Sequence, residues 1–226
     1  MQYRPHTTVV LAMSADGKIA DFRRSPARFG SKTDKAHLEK QIAASDAVLF
    51  GANTLRAYGT TLTVSNPQLL QQRIQAGKPS QPIHIVITHT AHLNPELRFF
   101  QQPVSRWLIT TKTGALFWQN RPEFERILGL ETATEKIDIA VALQHLLTLD
   151  IAKLAVLGGG ELIASMLELE LIDELWLTVC PLILGGASAP TPVEGRGFLS
   201  QVAPQLQLME VRTFEQEVFL NYRIKR

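Results

Sequence analysis

The chain has 226 residues, of which 45% are hydrophobic and 19% are charged, and its formal net charge is +2. This balance is typical of a globular protein with a sizeable core and excludes an intrinsically disordered chain. A net charge so close to zero gives no support to a nucleic-acid-binding protein, which would neutralise many phosphates with Lys and Arg.

Cys180 is the only cysteine, so the sequence cannot form an intrachain disulfide. It lies in the apolar run LWLTVC, and we interpret it as a buried structural thiol rather than a redox or nucleophilic group. The six histidines are scattered without ligand spacing, so we predict no metal site. No apolar run reaches the roughly 18 residues of a membrane span, and the N-terminal apolar stretch is too short for a secretory signal. We therefore expect a cytoplasmic protein with neither a membrane nor a nucleic-acid partner.

Short runs of β-branched and apolar residues predict buried strands along the chain. They cover 7–13, 46–51, 82–88, 105–111, 153–158 and 174–180. Near the C-terminus apolar residues alternate, and with the preceding LQLMEVRTF they predict an antiparallel hairpin. The alternating residues that share one face of this hairpin are Val218, Leu220, Tyr222 and Ile224.

Helical spacing predicts four helices, at 31–45, 67–77, 137–149 and 161–171. Thr33 is the predicted N-cap of the first. We predict a loop over 88–100, and 112–150 is the least clear region. Strands that alternate with helices predict an α/β fold with a mainly parallel sheet, and the terminal hairpin adds an antiparallel edge. Without repeats or a linker, we expect 1–226 to form a single domain.

Three consecutive glycines, Gly158, Gly159 and Gly160, join a predicted strand to a predicted helix. Such a junction presents unpaired backbone N–H groups and the positive end of a helix dipole, where a pyrophosphate can bind. A second strand meets a helical turn at Gly51, so the two junctions could hold the two ends of a dinucleotide. Packing alone also places glycine in such turns, and neither junction has a GxGxxG or GxxxxGK[ST] pattern.

Four stretches in order carry a resemblance to a known family. They are VVLAMSADGKIA (9–20), SDAVLFGANT (45–54) with LTV at 62–64, KLAVLGGGELIASML (153–167) and IDELWLTVCPLILGG (172–186). Over nearly its whole length the chain resembles the C-terminal reductase domain of the riboflavin-biosynthesis protein RibD, within the dihydrofolate-reductase-like fold. The resemblance implies a central, mostly parallel sheet flanked by helices, and an NADPH-dependent reductase.

The resemblance also implies which residues bind NADPH. They are Ala12, Gly17, Gly51, Ala52, Thr54, Gly158, Gly159, Gly160, Glu161 and Leu162. For the 2′-phosphate of the cofactor we expect Arg56 and Thr88, because a guanidinium suits a phosphate oxyanion. A solvated charge on a helix face is the alternative interpretation of Arg56.

On the substrate side, Ser14, Asp16 and Lys18 match the loop of the family that faces the substrate. Lys18, with Arg28, Ser31 and Lys32, could gather a phosphate tail, although plain solvation explains the same charges. The implied substrate is 5-amino-6-(5-phosphoribosylamino)uracil, whose ring-opened ribosylamine accepts a hydride as an imine. Asp16 or a bound water would supply the proton, so Asp16 is our predicted catalytic residue; a simple turn residue is its alternative interpretation.

Three positions depart from the family pattern. Tyr58 stands where the family has Asp, Ser65 where it has Arg, and Gly158 where it has Glu. These charges lie on the substrate side, so their loss leaves the cofactor hypothesis intact and puts the riboflavin substrate in doubt. A reductase of another C=N or C=O substrate, such as a pteridine, and a non-catalytic nucleotide-binding member remain alternatives.

Members of the family are commonly homodimers, and the resemblance implies the same here. The run VCPLILGG and the apolar residues around Trp176 could contribute an interface. A core strand is the alternative interpretation of that run.

Overall fold

The computed structural model describes residues 3–225. Its contacts divide the chain into two compact units. The first holds the residues up to His6 together with Glu39–Ala155, and the second holds Thr7–Leu38 and the residues from Val156 onward. Each unit is described by itself below.

The secondary structure consists of nine strands, six α-helices and a short 3-10 helix within residues 3–225. The strands are β1 His6–Ser14, β2 Ala47–Gly51, β3 Ile83–Ile87, β4 Arg106–Thr110, β5 Arg126–Gly129, β6 Lys153–Val156, β7 Glu174–Cys180, β8 Leu206–Phe214 and β9 Glu217–Ile224. The helices are α1 Lys32–Ala44, α2 Ala52–Tyr58, α3 Pro67–Gln75, α4 Lys112–Leu116, α5 Ile139–Thr148 and α6 Gly160–Glu168, with the 3-10 helix at Arg98–Gln101.

The strands of the first unit run in the order β5-β4-β3-β2-β6. The pairs β2–β3, β3–β4 and β4–β5 are parallel. Leu49, Ile85 and Leu108 from the three inner strands are fully buried. Because such strands are covered on both faces, they appear in the sequence as unbroken apolar runs rather than as alternating patterns.

A buried arginine ties the helices of the first unit together. Arg73 of α3 is 3% exposed. Its guanidinium donates to the carbonyl oxygens of Ala43 and Ser45 at 2.7 Å each, and to that of Pro79 at 2.8 Å. The bonds to Ala43 and Ser45 satisfy carbonyl groups at the C-terminal end of α1, which have no partner within the helix, and so join α3 to that end.

The second unit has the strand order β1-β7-β9-β8. Strands β1 and β7 are parallel, whereas β9 pairs antiparallel with both β7 and β8. The predicted α/β class, with parallel strands and a C-terminal antiparallel hairpin, is therefore confirmed. Val218, Leu220, Tyr222 and Ile224 alternate along β9 and share one face, as predicted, and this face is half-buried.

The first turn of α1 belongs to the second unit and shows one wrong prediction. Thr33 was the expected N-cap, but the helix begins at Lys32, and the Ser31 hydroxyl accepts from the backbone N–H groups of Thr33 and Asp34 at 3.0 and 3.1 Å. Ser31 therefore caps the helix, because a hydroxyl one residue before the helix reaches the N–H groups of the first turn.

Most predicted elements are present with boundaries shifted by a few residues. The sequence did not predict α4, β5 or the 3-10 helix, of which the last lies at the end of the predicted loop. Within residues 3–225, no helix is both long enough and apolar enough to cross a membrane.

Candidate active site

A tight turn follows β1 in the second unit and holds three of the predicted residues together. The buried Ser14 hydroxyl donates to Asp16 Oδ1 at 2.6 Å and accepts from the Lys18 backbone N–H at 2.9 Å. Gly17 has φ +78°, a left-handed conformation that favours glycine. The SADGK sequence therefore folds into one closed hydrogen-bonded turn.

The carboxylate of Asp16 holds this turn against the segment that follows β7. It accepts from the backbone N–H groups of Leu184 at 3.1 Å and Gly185 at 2.7 Å. The Ser14 hydroxyl and these N–H groups lower the pKa of Asp16 to about 2. Asp16 is therefore ionised near neutral pH and has no proton to give there.

Further bonds fasten the same two segments. Ala15 N–H donates to the Leu182 carbonyl oxygen at 2.9 Å, and Lys18 Nζ donates to the Ala189 carbonyl oxygen at 3.3 Å. The LILGG run was part of the family resemblance and of the candidate dimer interface, but no residue of it was predicted to bind cofactor or substrate. The two consecutive glycines a few residues after β7, Gly185 and Gly186, were the signal that could have identified it.

The three glycines at the start of α6 are each required by a different feature of the structure. Gly158 has φ +111°, and the Gly158–Gly159 peptide is cis. Gly159 is the N-cap of α6, in an extended conformation and without a side-chain cap. At Gly160, a Cβ atom would lie 2.5 Å from the Thr191 carbonyl oxygen and 2.8 Å from Glu194 Cγ, so the chain itself approaches closely there.

The remaining predicted residues of this unit differ in exposure. Glu161 is exposed and Leu162 half-buried in the first turn of α6, and Ala12 is half-buried on β1, opposite Thr178 of β7. The cap residue of α6 provides no side-chain acceptor for the backbone N–H groups of the first turn, which carries the acidic Glu161.

The first unit contains the second glycine junction. Gly51 is the N-cap of α2 and likewise offers no side-chain cap. Ala52 is buried, and Thr54 is half-buried on the first turn. Side chains cap four other helices: Ser31 at α1, Asn66 at α3, Thr111 at α4 and Asp138 at α5. The two helices expected to contact the cofactor, α2 and α6, are thus the two whose N-cap residue is a glycine, which provides no side-chain acceptor.

Arg56 of α2 is exposed, and its guanidinium is oriented by two hydrogen bonds. It donates to Asn53 Oδ1 at 2.8 Å and to the His92 carbonyl oxygen at 2.9 Å. His92 lies in the segment that follows β3, which begins with the buried Thr88. The structure thus brings Arg56 to the segment of Thr88 and leaves guanidinium N–H groups for another acceptor.

Ser31 is hydrogen-bonded to Glu217, the first residue of β9. Its hydroxyl donates to Glu217 Oε2 at 2.5 Å, and its backbone N–H donates to Glu217 Oε1 at 2.8 Å. Glu217 is 4% exposed. A phosphate at Ser31 would have to approach this buried carboxylate. Arg28 and Lys32 are exposed in the same unit.

Buried groups of β7 and α1 surround Glu217. Cys180 Sγ lies 3.6 Å from Glu217 Oε1, and burial together with the Asp34 and Glu217 carboxylates raises the pKa of this thiol to about 12. Burial also raises the pKa of Asp34, whose carboxyl is hydrogen-bonded to Thr178. The predicted burial of Cys180 is confirmed.

Comparisons with known proteins all point to one family. Residues 5–220 match the family described as the RibD C-terminal domain. The chain is 29% identical over 199 residues to the 2,5-diamino-6-ribosylamino-4(3H)-pyrimidinone 5′-phosphate reductase of Archaeoglobus fulgidus, covering 88% of this chain and 90% of that protein. It is 26% identical to the protein of the same name from Methanothermobacter thermautotrophicus, covering 98% and 99%.

Among solved structures, a pyrimidine reductase-like protein from Corynebacterium diphtheriae has the same fold. It superposes with a TM-score of 0.81 at 20% identity, over 98% of this chain and 92% of that chain. This similarity confirms the fold class predicted from the sequence. Since the family match extends over residues 5–220, the chain belongs to the RibD C-terminal domain family.

Proposed function

We propose that this protein is an NADPH-dependent reductase that acts on a phosphoribosylaminopyrimidine in riboflavin biosynthesis. The observation that carries the proposal is that helices α2 and α6 are capped by glycine, whereas side chains cap the other four helices. The chain also belongs to the RibD C-terminal domain family. Backbone N–H groups that lack a side-chain acceptor are the groups that a phosphate can bind.

The turn at the start of α6 fits a pyrophosphate best. Its cap residue, Gly159, has φ −84° and ψ 177°, and it brings neither a charge nor a hydrogen-bond acceptor. We assign the pyrophosphate to Gly158–Leu162 and further cofactor contacts to Ala12, Gly17, Gly51, Ala52 and Thr54. For the 2′-phosphate we propose Arg56 and Thr88, because a charge-assisted bond from Arg56 would separate NADPH from NADH.

When bound, a reduced nicotinamide supplies the hydride for such a reduction. The chain itself contributes position. Ser14 and Asp16 hold the turn after β1 in one conformation, and Lys18 places a positive charge beside it. Because Asp16 is ionised near neutral pH, we propose that water brings the proton and that Asp16 positions the loop. Of the predicted phosphate-tail residues, Lys18, Arg28 and Lys32 keep charges that could meet a phosphate.

Two substrates of the same class are possible. The resemblance of the sequence implies 5-amino-6-(5-phosphoribosylamino)uracil, whereas the archaeal relatives are named for the 2,5-diamino-pyrimidinone. Both carry the ribosylamine that a hydride reduces.

The structure explains one departure from the family pattern. Ser65 N–H and Oγ donate to Glu39 Oε1, the hydroxyl at 3.1 Å, so Ser65 serves an interior contact.

The test is turnover of NADPH with each of the two phosphoribosylaminopyrimidines and with a panel of pteridines. Our proposal predicts oxidation of NADPH with at least one phosphoribosylaminopyrimidine and formation of the ribitylamino product. Turnover with pteridines alone would select a reductase of another C=N substrate. Binding of NADPH without any turnover would favour a non-catalytic member.

We also propose a homodimer, because the second unit leaves an apolar sheet face incompletely covered. Leu177 of β7 stands opposite Leu220 of β9, and Leu220 stands opposite Val211 of β8. Leu177 and Leu220 are half-buried, and Val211 is 50% exposed. A row of apolar side chains across three strands suits a second copy of the same chain.

Light scattering after size-exclusion chromatography tests the dimer. The wild-type protein should have twice the chain mass, and Val211→Lys should shift it toward the monomer. Val141→Lys is the matched control, because Val141 of α5 is 42% exposed and lies in the first unit. A monomeric wild-type protein would contradict the proposal.

We further propose the cytoplasm as the location, since NADPH is available there.

A further inference from the structure

The segment that follows β7 packs against the first turns of α6 in the second unit. Glu194 N–H donates to the Gly160 carbonyl oxygen at 3.2 Å. A Cβ atom on Gly160 would lie 3.0 Å from Glu194 Oε2, and one on Gly195 would lie 3.0 Å from the Ala164 Cβ. The Glu194 carboxylate is thereby held beside the turn to which we assign the pyrophosphate.

Arg24 is a cationic partner of this carboxylate. Arg24 Nη2 donates to Glu194 Oε1 at 3.0 Å, and the side chains of Arg24 and Glu194 are 55% and 17% exposed. A carboxylate near the start of a helix is stabilised by the helix dipole, and it opposes a second anion at the same place. Glu161 of the first turn and Glu194 both place negative charge at this end of α6, and Arg24 compensates the charge of Glu194.

A preformed turn presents Arg24 to Glu194. Asp21 Oδ1 accepts from the backbone N–H groups of Arg23 at 2.9 Å and Ser25 at 3.0 Å. The Arg24 N–H donates to the Asp21 carbonyl oxygen at 2.9 Å, and Arg24 has φ +57°. The hydrogen bonds of Asp21 therefore fix the backbone from which Arg24 reaches Glu194.

We propose that Arg24 and Glu194 form a positioning pair that sets the affinity of the α6 turn for the phosphates of the cofactor. The inference rests on the proposed function. Glu194 anchors the segment after β7 to Gly160 and supplies an opposing negative charge. Arg24 cancels that charge, so that a pyrophosphate can bind a turn that the carboxylate alone would disfavour. The pair also joins the loop after β1, which carries the predicted substrate residues, to the cofactor turn.

Titration of NADPH against charge-removing variants tests the pair. At low salt, Glu194→Gln should tighten NADPH binding about three- to tenfold, since a like charge has been removed near the phosphates. Arg24→Gln should weaken binding by a similar factor, because Glu194 is then left uncompensated. Both effects should shrink between about 0.02 M and about 0.3 M salt. Arg23→Gln is the matched control, since Arg23 carries the same charge one residue away and stacks on Phe22.

The opposite signs separate charge from structure. If the pair served only to fold the loop, both variants would weaken binding and lower the melting temperature. Equal weakening, or Kd values equal to that of the wild type in both variants, would overturn the inference while the cofactor proposal stands. A wild-type protein that binds no NADPH would instead overturn the proposed function, and the inference with it.

Discussion

The Ser14 hydroxyl and the Asp16 carboxylate are joined by a 2.6 Å hydrogen bond at the end of β1. The same carboxylate accepts two backbone N–H groups from the segment after β7. One acidic side chain thus holds two loops of the second unit in place. This role explains the Asp of SADGK better than a preference for Asp in local turns does.

Asp16→Asn should loosen this arrangement, because an amide offers one acceptor oxygen where the carboxylate offers two. We expect kcat/KM for the pyrimidine substrate to fall about tenfold or more, with a much smaller change in the Kd of NADPH. Steady-state kinetics and fluorescence titration measure the two quantities. Glu215→Gln, which removes an exposed charge from the β8–β9 turn, should leave both unchanged.

The pH profile separates positioning by Asp16 from proton donation. With a pKa of about 2, Asp16 stays ionised throughout the working range, so the activity of the wild type should show no titration of this group between pH 5 and 8. A limb of the profile that Asp16→Asn abolishes would contradict the positioning role and restore Asp16 as the proton donor.

We expect Ser31 to stabilise the folded protein rather than to bind a phosphate. Ser31→Ala removes the cap of α1 and the donor to the buried Glu217, so unfolding should become easier by about 1 to 3 kcal/mol. Urea denaturation measures this change, and Ser31→Thr should recover part of it. Unchanged stability together with a raised KM for the phosphorylated substrate would show instead that Ser31 binds the phosphate tail.

His84 should make the first unit sensitive to acid. Burial lowers the pKa of His84 to about 3, with Arg73 and Arg106 adding to the shift. Between that value and its usual pKa, the unfolded state binds a proton that the folded state does not. This contribution to stability is present above about pH 6.5 and is lost, by about 1.4 kcal/mol for each pH unit, as the pH falls toward 3.

The check is urea denaturation at several pH values. His84→Asn keeps a hydrogen-bonding group near Thr61, whose Oγ1 lies 2.9 Å from His84 Nδ1, but cannot take up the proton. Its stability should fall less steeply between pH 6.5 and 5 than that of the wild type. Parallel stability curves for the two proteins would mean that His84 titrates normally.

Arg56 should distinguish the two nicotinamide cofactors. Arg56→Gln should raise the Kd of NADPH about tenfold and change the Kd of NADH little, because only NADPH carries the 2′-phosphate. Parallel titrations of both cofactors give the ratio, and Arg98→Gln, in the 3-10 helix of the same unit, serves as the control. An equal loss for both cofactors would assign Arg56 to the packing of α2 against His92.

The strands and long helices were predictable because their signals are local. The continuous apolar run AVLF in β2 reflects burial on both faces of that strand. The alternation of β9 predicted a strand, but its apolar residues are on the half-buried face, and the buried face carries Glu217, Phe219 and Asn221. Strand β5 has four residues and α4 has five, too few for either periodicity to show. The cap of α1 was misplaced because Ser31 and Thr33 are both favoured capping residues, and only the path of the backbone distinguishes them.

The sequence offers candidate site residues where they are consecutive, as in SADGK and the glycine junctions, and their roles stay predictions. The site was not predictable where partners are far apart in sequence. Ser31 and Glu217 are separated by 186 residues, and Arg24 and Glu194 by 170. Buried polar side chains are fixed by such long-range bonds, so their roles follow from the fold and not from local pattern.

The central claim is that the turn before α6 binds the cofactor, and one titration tests it most directly. Tryptophan fluorescence would follow NADPH binding to the wild type, to Gly159→Asp and to the control Gln68→Asp. Asp is a favoured N-cap, and Gly159 has an extended conformation that Asp can adopt, so Gly159→Asp should fold and retain its melting temperature. Its carboxylate would cover the N–H groups that we assign to the pyrophosphate. Gln68→Asp adds the same charge to the first turn of α3, which Asn66 already caps.

We predict that the wild type and Gln68→Asp bind NADPH equally well and that Gly159→Asp loses binding while it remains folded. Equal NADPH affinity in all three proteins would contradict the claim. The glycines before α6 would then serve only the close approach of Thr191 and Glu194 to Gly160.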